Sequence, residues 1–164
     1  IPPSTLLIGN MQMNWDDSEL CFQSLLGATA LMLGDPRDLP ESKIDWFRKW
    51  SDWFRKMETK YQVSQFYQTA NVFTRPEIRG WDGFARINPE KGGIVCVFRN
   101  DDPNDQRKFP IPWVNKNKNY RIKTAVEGRL IETRKGSDLM EKGLLIEIPK
   151  KNQAAVLEIE PTES

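Results

Sequence analysis

The chain has 164 residues, of which 38% are hydrophobic and 29% are charged, a composition typical of globular proteins. Its 24 basic and 23 acidic residues leave a net charge of +1, which argues against a surface for nucleic acid or anionic membranes. The absence of histidine excludes Ser-His-Asp and Cys-His mechanisms, and most zinc sites, built by this chain alone. No apolar run approaches the roughly 20 residues that span a bilayer.

The first part of the sequence predicts two strand-helix units. Residues 4–9 (STLLIG) form a short apolar run, which is typical of a strand buried on both faces. Asp16, three residues before Glu19, predicts the capped start of a helix, and residues 31–33 form a second apolar run. Strands in this order should be parallel and joined by right-handed crossovers.

A long aromatic helix is predicted over residues 38–61. Asp38 and Glu41 form a capping-box-like pair with Pro40 in the first turn. The apolar stripe of this helix comprises Phe47, Trp50, Phe54, Met57 and Tyr61, widened by Trp46 and Trp53. Three tryptophans could form a sugar platform, but a stripe at helical spacing more often faces the core, and we favour that interpretation.

The sequence after residue 64 has the pattern of an antiparallel sandwich or small barrel. Short β-type segments separated by turn clusters cover residues 81–88, 93–99, 109–113, 119–126, 128–133, 143–148 and 154–160. Pro110 and Pro112 predict an edge strand, because proline cannot donate to a sheet. We therefore expect two domains, residues 1–63 with the strand-helix units and residues 64–164 with an antiparallel β-sandwich.

The order of these motifs resembles the end of the catalytic barrel in clan D glycoside hydrolases, the melibiase-type α-galactosidases and α-N-acetylgalactosaminidases. In that family a strand ending in Ile-Gly-Asn precedes a loop with a tryptophan, a helix, a further strand and an Asp-Leu step. The corresponding residues here are Ile8-Gly9-Asn10, Trp15, residues 31–34 and Asp38-Leu39. The segment GSDLMEKGLLIEIP also resembles a turn in the family's C-terminal domain.

The resemblance implies an α+β fold in which the last two β/α units of a (β/α)8 barrel precede an antiparallel β-sandwich. It implies a retaining α-glycosidase, in which two carboxylates about 5 Å apart act as nucleophile and acid/base. The family's catalytic aspartates lie on earlier strands, so the resemblance places both upstream of Ile1 and none in this chain. The start at Ile1, without methionine and within an apolar run, likewise suggests a fragment.

The resemblance also suggests substrate-binding positions. The α-galactosidase branch has Pro-Asp-Met before its Ile-Gly-Asn strand, and the Asp and Met face the sugar; Pro3, Ser4 and Thr5 occupy these positions here. Losing that aspartate makes a different α-linked sugar possible. The other candidates, at the C-terminal strand ends where barrel enzymes build active sites, are Asn10, Trp15, Asp16 and Asp35.

Each strand-end candidate also has a structural alternative. Asp16 is better explained as a helix cap, and Asp35 could equally be a turn residue. Trp15 could stack on a pyranose ring or cover the rim of the barrel. The expected partner is a carbohydrate substrate bound by the intact parent, and the truncated barrel could also lead to self-association.

No cofactor and no metal is expected. Three carboxylates, Asp101, Asp102 and Asp105, could suggest calcium, but a solvated hairpin turn is favoured because the EF-hand glycine and distal glutamate are absent. Cys21 and Cys96 fit small buried residues better than a disulfide.

Two other classes of function remain open. A carbohydrate-binding module would present Trp81, Trp113 or Tyr120 as an exposed platform. A purely structural interaction domain would bury them.

Overall fold

Strands and helices alternate in the first part of the chain. The computed structural model describes residues 7–26, 29–65, 70–71 and 79–162. The elements are, in order, β1 Leu7–Gln12, α1 Ser18–Ser24, β2 Thr29–Leu33, a 3-10 helix at Pro36–Asp38 and α2 Glu41–Tyr61. β1 and β2 pair in parallel, with Gln12 opposite Leu33, so the predicted alternation and its parallel pairing are confirmed. β1 continues through Gly9 to Gln12 rather than ending at Gly9.

The predicted helix caps are wrong at both helices. α1 begins one residue later than expected, with Asp17 at the N-cap position and no side-chain cap, so Asp16 does not cap it. Asp38 belongs to the 3-10 helix, and its helical backbone is incompatible with the extended conformation of an N-cap. Instead, the carbonyl oxygen of Pro40 accepts the first helical hydrogen bonds of α2 from Lys43 and Ile44.

The buried stripe of α2 is rotated from the predicted one. Trp53 is buried, whereas Trp50 and Phe54 are half-buried. The rest of the stripe, Phe47, Met57 and Tyr61, is buried as predicted. The rotation follows from the partner surface, since Trp53 packs in the same cluster as β-sheet residues such as Val156. Among the described helices, none has the length and apolar character needed to cross a membrane.

The second part of the chain forms two antiparallel sheets. Their strands are β3 Ala70–Asn71, β4 Trp81–Asn88, β5 Gly92–Arg99, β6 Gln106–Phe109, β7 Asn119–Thr124, β8 Leu130–Lys135, β9 Leu144–Glu147 and β10 Gln153–Pro161. The larger sheet has the order β3-β4-β5-β10-β7-β8, and β6 pairs with β9 in the smaller one. The antiparallel arrangement expected from the sequence is therefore present.

Two segments differ from the prediction. The strand expected at residues 109–113 is wrong, because β6 lies earlier and ends at Phe109, just before Pro110. A helix, α3 at Gly136–Glu141, occupies the segment that resembled a turn. α3 forms because Leu139 is fully buried in the core and its carbonyl oxygen accepts a hydrogen bond from the Ile111 N–H at 3.0 Å.

The larger sheet is covered on both faces. On one face Val95 and Val97 of β5 pack in the main core with residues of β6, β9 and α3. On the other face Ile94 and Cys96 pack against α2 in a second cluster that includes Trp53. This explains why the β5 sequence GGIVCVFR is apolar without alternation.

Candidate functional site

The loops that follow β1 and β2 lie at one edge of the small parallel sheet. The Met13 N–H donates to the carbonyl oxygen of Leu33 at 3.0 Å, which joins the two strand ends. Asn10 lies inside β1, opposite Leu31 and shortly before the strand end. The candidates Ser4 and Thr5 lie outside the described residues.

Trp15 presents an exposed indole from a backbone that is held firmly. Its side chain is 44% exposed. Its carbonyl oxygen accepts hydrogen bonds from Lys43 Nζ at 2.6 Å and from the Ser18 N–H at 3.2 Å. Because Lys43 belongs to α2, the loop is tied to both helices, and the exposed ring can contact a ligand without reordering the loop.

Asp16 is exposed and lines a cleft of about 500 Å³ between α1 and the start of β10. No other residue in the described part of the chain forms a hydrogen bond or ion pair with its side chain. Asn152, Gln153 and Trp46 also line the cleft. A carboxylate in this setting can accept hydrogen bonds from hydroxyl groups of a bound molecule.

Asp35 is a turn residue whose carboxylate is already occupied. Its Oδ1 accepts hydrogen bonds from the Arg37 backbone N–H and from Arg37 Nε, both at 2.9 Å. Arg37 Nη2 donates to Oδ2 at 2.6 Å, which completes a bidentate pair. The side-chain and then the backbone hydrogen bonds from Arg37 lower the pKa of Asp35, so this group stays ionised and is poorly suited to act as a general acid.

The three aromatic residues expected of a binding platform do not form one surface. Trp81 is 1% exposed and Tyr120 is fully buried, and both belong to the main core. The Tyr120 hydroxyl accepts a hydrogen bond from the Asn115 N–H at 2.8 Å. Trp113 is 45% exposed. Of these three side chains, Trp113 alone could contact a ligand.

The acidic turn after β5 is organised by a buried arginine. Arg99 donates to the carbonyl oxygens of Asp102 at 3.0 Å and of Ile148 at 2.7 Å. Asp101 pairs with Lys151 Nζ at 2.6 Å, and the Asp105 carbonyl oxygen accepts from the Ile148 N–H. The described residues contain no group of three or more potential metal-ligating side chains of the His, Cys, Asp or Glu types.

Both cysteines are free. Cys96 is fully buried beneath α2, and burial strongly raises the pKa of its thiol. Cys21 is half-buried, and burial followed by the charge of Asp17 raises its pKa. Neither thiol therefore has the lowered pKa of a reactive nucleophile.

Several residues beside Asp16 were not indicated by the sequence analysis. Gln23, Asn152 and Gln153 line the same cleft, although the latter two are far from Asp16 in the chain. Trp46 was assigned to the buried stripe, but it is half-buried and also lines the cleft. The sequence did contain a signal for this exposure. Trp46 directly follows Asp45, which belongs to the polar face of α2, so Trp46 lies at the border of the apolar stripe.

No protein-family model and no curated protein matches this chain. Solved structures share its fold. The GH36 α-galactosidase AgaA from Geobacillus stearothermophilus superposes with a TM-score of 0.70 at 12% identity, over 85% of this chain and 19% of that chain. The galactosidase domain of the α-galactosidase-sucrose kinase AgaSK gives a TM-score of 0.72 at 12% identity, over 98% of this chain and 22% of that chain.

The α-galactosidase from Lactobacillus brevis matches similarly, with a TM-score of 0.65 and 13% identity, over 85% of this chain and 19% of that chain. The chain thus spans only 19% to 22% of the length of these three proteins. At such low identity the comparison concerns the fold. The chain has the mixed α and β fold, with antiparallel sheets, of a part of GH36 α-galactosidases.

Proposed function

We propose that this chain is the C-terminal part of a retaining α-glycosidase related to the α-galactosidases. The observation that carries the proposal is the match to the AgaSK galactosidase domain over 98% of the chain. A match of that extent includes most of the strand-helix units as well as the antiparallel sheets. In this proposal residues 1–63 complete a (β/α)8 barrel, and residues 64–164 form an accessory domain on its flank.

The open edges of the first sheet support a larger barrel. In the described part of the chain, β1 pairs only with β2, so each strand has one edge without a partner strand. A two-stranded parallel sheet is not stable in isolation, because parallel strands are buried on both faces in known folds. We propose that further strands of the parent polypeptide cover these edges, and that the chain alone self-associates through them.

In this proposal catalysis and substrate binding belong to different parts of the enzyme. Retaining hydrolysis needs one carboxylate to attack the anomeric carbon and another, about 5 Å away, to protonate the leaving oxygen. Asp35 is held by Arg37, and Asp16 lines a cleft against β10. Neither residue matches the position of the family's catalytic pair, and the resemblance places that pair on earlier strands. We therefore assign both catalytic carboxylates to strands outside this chain, and substrate binding at the rim to Trp15 and Asp16.

We propose that the substrate carries an α-linked sugar other than galactose. The family's sugar-facing aspartate and methionine correspond to Ser4 and Thr5, which are short hydroxyl side chains without charge. They could still donate hydrogen bonds to a sugar, but they cannot form the charge-assisted bonds that a carboxylate forms.

The test is an assay of the longer polypeptide that contains this chain. We expect it to hydrolyse nitrophenyl α-glycosides and to release the α-anomer first, as followed by proton NMR. Release of the β-anomer would contradict the retaining mechanism. Hydrolysis confined to β-glycosides, or none on the whole panel, would contradict the proposed function.

A further inference from the structure

Two tryptophans of α2 form a rigid stacked pair at the surface. Trp46 and Trp50 are both half-buried, with ring centroids 5.2 Å apart and ring planes inclined by 28°. Phe22 packs edge-on against Trp46 at 5.8 Å, and Trp53 packs edge-on against Trp50 at 5.7 Å. These contacts hold the two indoles in place. The part of each ring that remains exposed can therefore contact a ligand without a change of side-chain conformation.

Three clefts meet at this pair, and together they form what we call the tryptophan groove. Trp46 lines both the cleft of about 500 Å³ beside Asp16 and a second one of about 400 Å³. Trp50 lines the second cleft and a third of about 280 Å³. Gln23 lies between the first and third clefts. The three clefts are therefore neighbours that share the two indoles and Gln23 as lining residues.

Several polar side chains that line the groove have donors and acceptors that no other described residue pairs with. Within the described residues, the side chains of Gln23, Gln153, Asn152 and Glu127 form no hydrogen bond with another residue. Amides can both donate and accept, and carboxylates accept strongly. Such groups beside flat apolar rings are the combination that binding sites for polar organic molecules require.

We propose that the tryptophan groove binds a neutral carbohydrate chain. A sugar ring has an apolar C–H face that can rest on an indole, and hydroxyl groups around its rim that pair with amides and carboxylates. The carboxylates of Asp16, Asp17 and Glu19 in the first cleft disfavour an anionic ligand. Three adjacent clefts can each take one sugar unit, which suits a chain of several units better than a single ring.

The choice of a carbohydrate rests on the proposed function, and every residue of the groove belongs to this chain. The first cleft contains Asp16, which follows β1, and the other two extend from it along α2 and the sheets. A glycan in the groove would lie between the strand ends and the antiparallel domain. Its role would be to hold a glycan by stacking and hydrogen bonds.

Isothermal titration calorimetry of this chain with stachyose, mannohexaose, maltohexaose and cellohexaose tests the proposal. We expect at least one of these glycans to bind. Gln153→Ala and Glu127→Ala, which change exposed side chains, should each raise Kd by about three- to tenfold. Trp50→Ala should raise Kd by about tenfold or more. Trp113→Ala is the matched control, because Trp113 is exposed and lines none of the three clefts.

Binding of no glycan by the wild-type chain would overturn the proposal, as would an equal loss in Trp113→Ala and Gln153→Ala. Binding of a lysine decapeptide in place of every glycan would assign the groove to a basic peptide and would also overturn it. If the longer polypeptide hydrolyses α-glycosides while the groove binds none, the groove assignment alone fails. If the groove binds glycans but the longer polypeptide has no activity, only the proposed function fails.

Discussion

The Tyr61 hydroxyl donates a hydrogen bond of 2.5 Å to Glu158 Oε1, and this bond joins the end of α2 to β10 in the buried interior. Lys60 Nζ donates to the same oxygen at 2.9 Å. Burial, followed by the hydrogen bond to Glu158, strongly raises the pKa of Tyr61, so its hydroxyl remains a donor at neutral pH. The helix is therefore positioned on the sheet by a specific polar contact as well as by apolar packing.

Removing this hydroxyl should destabilise the chain. Tyr61→Phe leaves buried Glu158 with one donor fewer, and we expect a loss of about 1.5–3 kcal/mol in the free energy of unfolding. Urea denaturation of Tyr61→Phe, Glu158→Gln and the double variant provides the measurement. A coupling energy of about 1 kcal/mol or more is expected, whereas additivity of the two single changes would show that the contact contributes nothing.

Glu160 should make stability depend on acid pH. Partial burial opposes its ionisation, but hydrogen bonds from Lys123 and Lys60 outweigh burial and hold the pKa of Glu160 at about 2. Because this is below the ordinary value of about 4.3, its contribution is present above that value and is lost as the pH falls through about 2. That contribution is on the order of 2–3 kcal/mol.

The measurement compares wild type with Glu160→Gln by urea denaturation at several pH values. The gap in unfolding free energy should be largest near pH ~6 and should shrink steadily below pH ~4. A gap that is constant across this range would show that the carboxylate of Glu160 has an ordinary pKa in the folded chain.

The rotated stripe of α2 predicts which tryptophan matters most for stability. Trp53 is 6% exposed and packs in the cluster between α2 and the sheet. Trp53→Ala should cost about 3–5 kcal/mol, because it removes a large buried side chain and leaves a cavity. Trp113→Ala, which truncates an exposed ring, should cost less than about 0.5 kcal/mol. Equal denaturation midpoints for the two variants would contradict the packing described here.

Gly93 should tolerate no side chain. A Cβ atom at this position would lie 1.9 Å from the carbonyl oxygen of Arg86, where β4 and β5 approach closely. Gly93→Ala should therefore cost about 3 kcal/mol or more, because backbone atoms must move apart. Gly128→Ala is the control: its φ of +65° costs about 1–2 kcal/mol, but nothing lies within 4 Å of the new atom. Thermal denaturation should rank the two accordingly, and the reverse order would be incompatible with this strand geometry.

The sequence was sufficient to predict elements whose pattern is local. β4 was predicted at residues 81–88 and has the same limits in the structure, because its β-type run ends at the turn NPEKGG. The alternation of strands and helices before residue 62 followed from apolar runs and helical spacing. Such features depend on residues that are close in sequence, so they can be predicted without knowing the rest of the fold.

Features decided by contacts distant in sequence were missed. α3 depends on burial of Leu139, and β6 depends on pairing with β9, so neither is visible in its own segment. At the candidate site, the strand-end positions and the turn role of Asp35 depend on nearby residues, and both were among the interpretations offered by the sequence. The cleft beside Asp16 could not be predicted, because Gln153, which also lines it, is distant from Asp16 in the sequence.

The most direct test compares this chain with the proposed longer polypeptide on a panel of nitrophenyl α- and β-glycosides. Asp35 is engaged by Arg37, and neither Asp16 nor Asp35 occupies a position that matches the family's catalytic pair. We therefore expect no turnover by this chain and turnover of α-glycosides by the longer polypeptide. Asp16→Asn and Asp35→Asn variants of this chain serve as controls. Turnover by the 164-residue chain that disappears in either variant would make these aspartates catalytic and would contradict the assignment of catalysis to other strands.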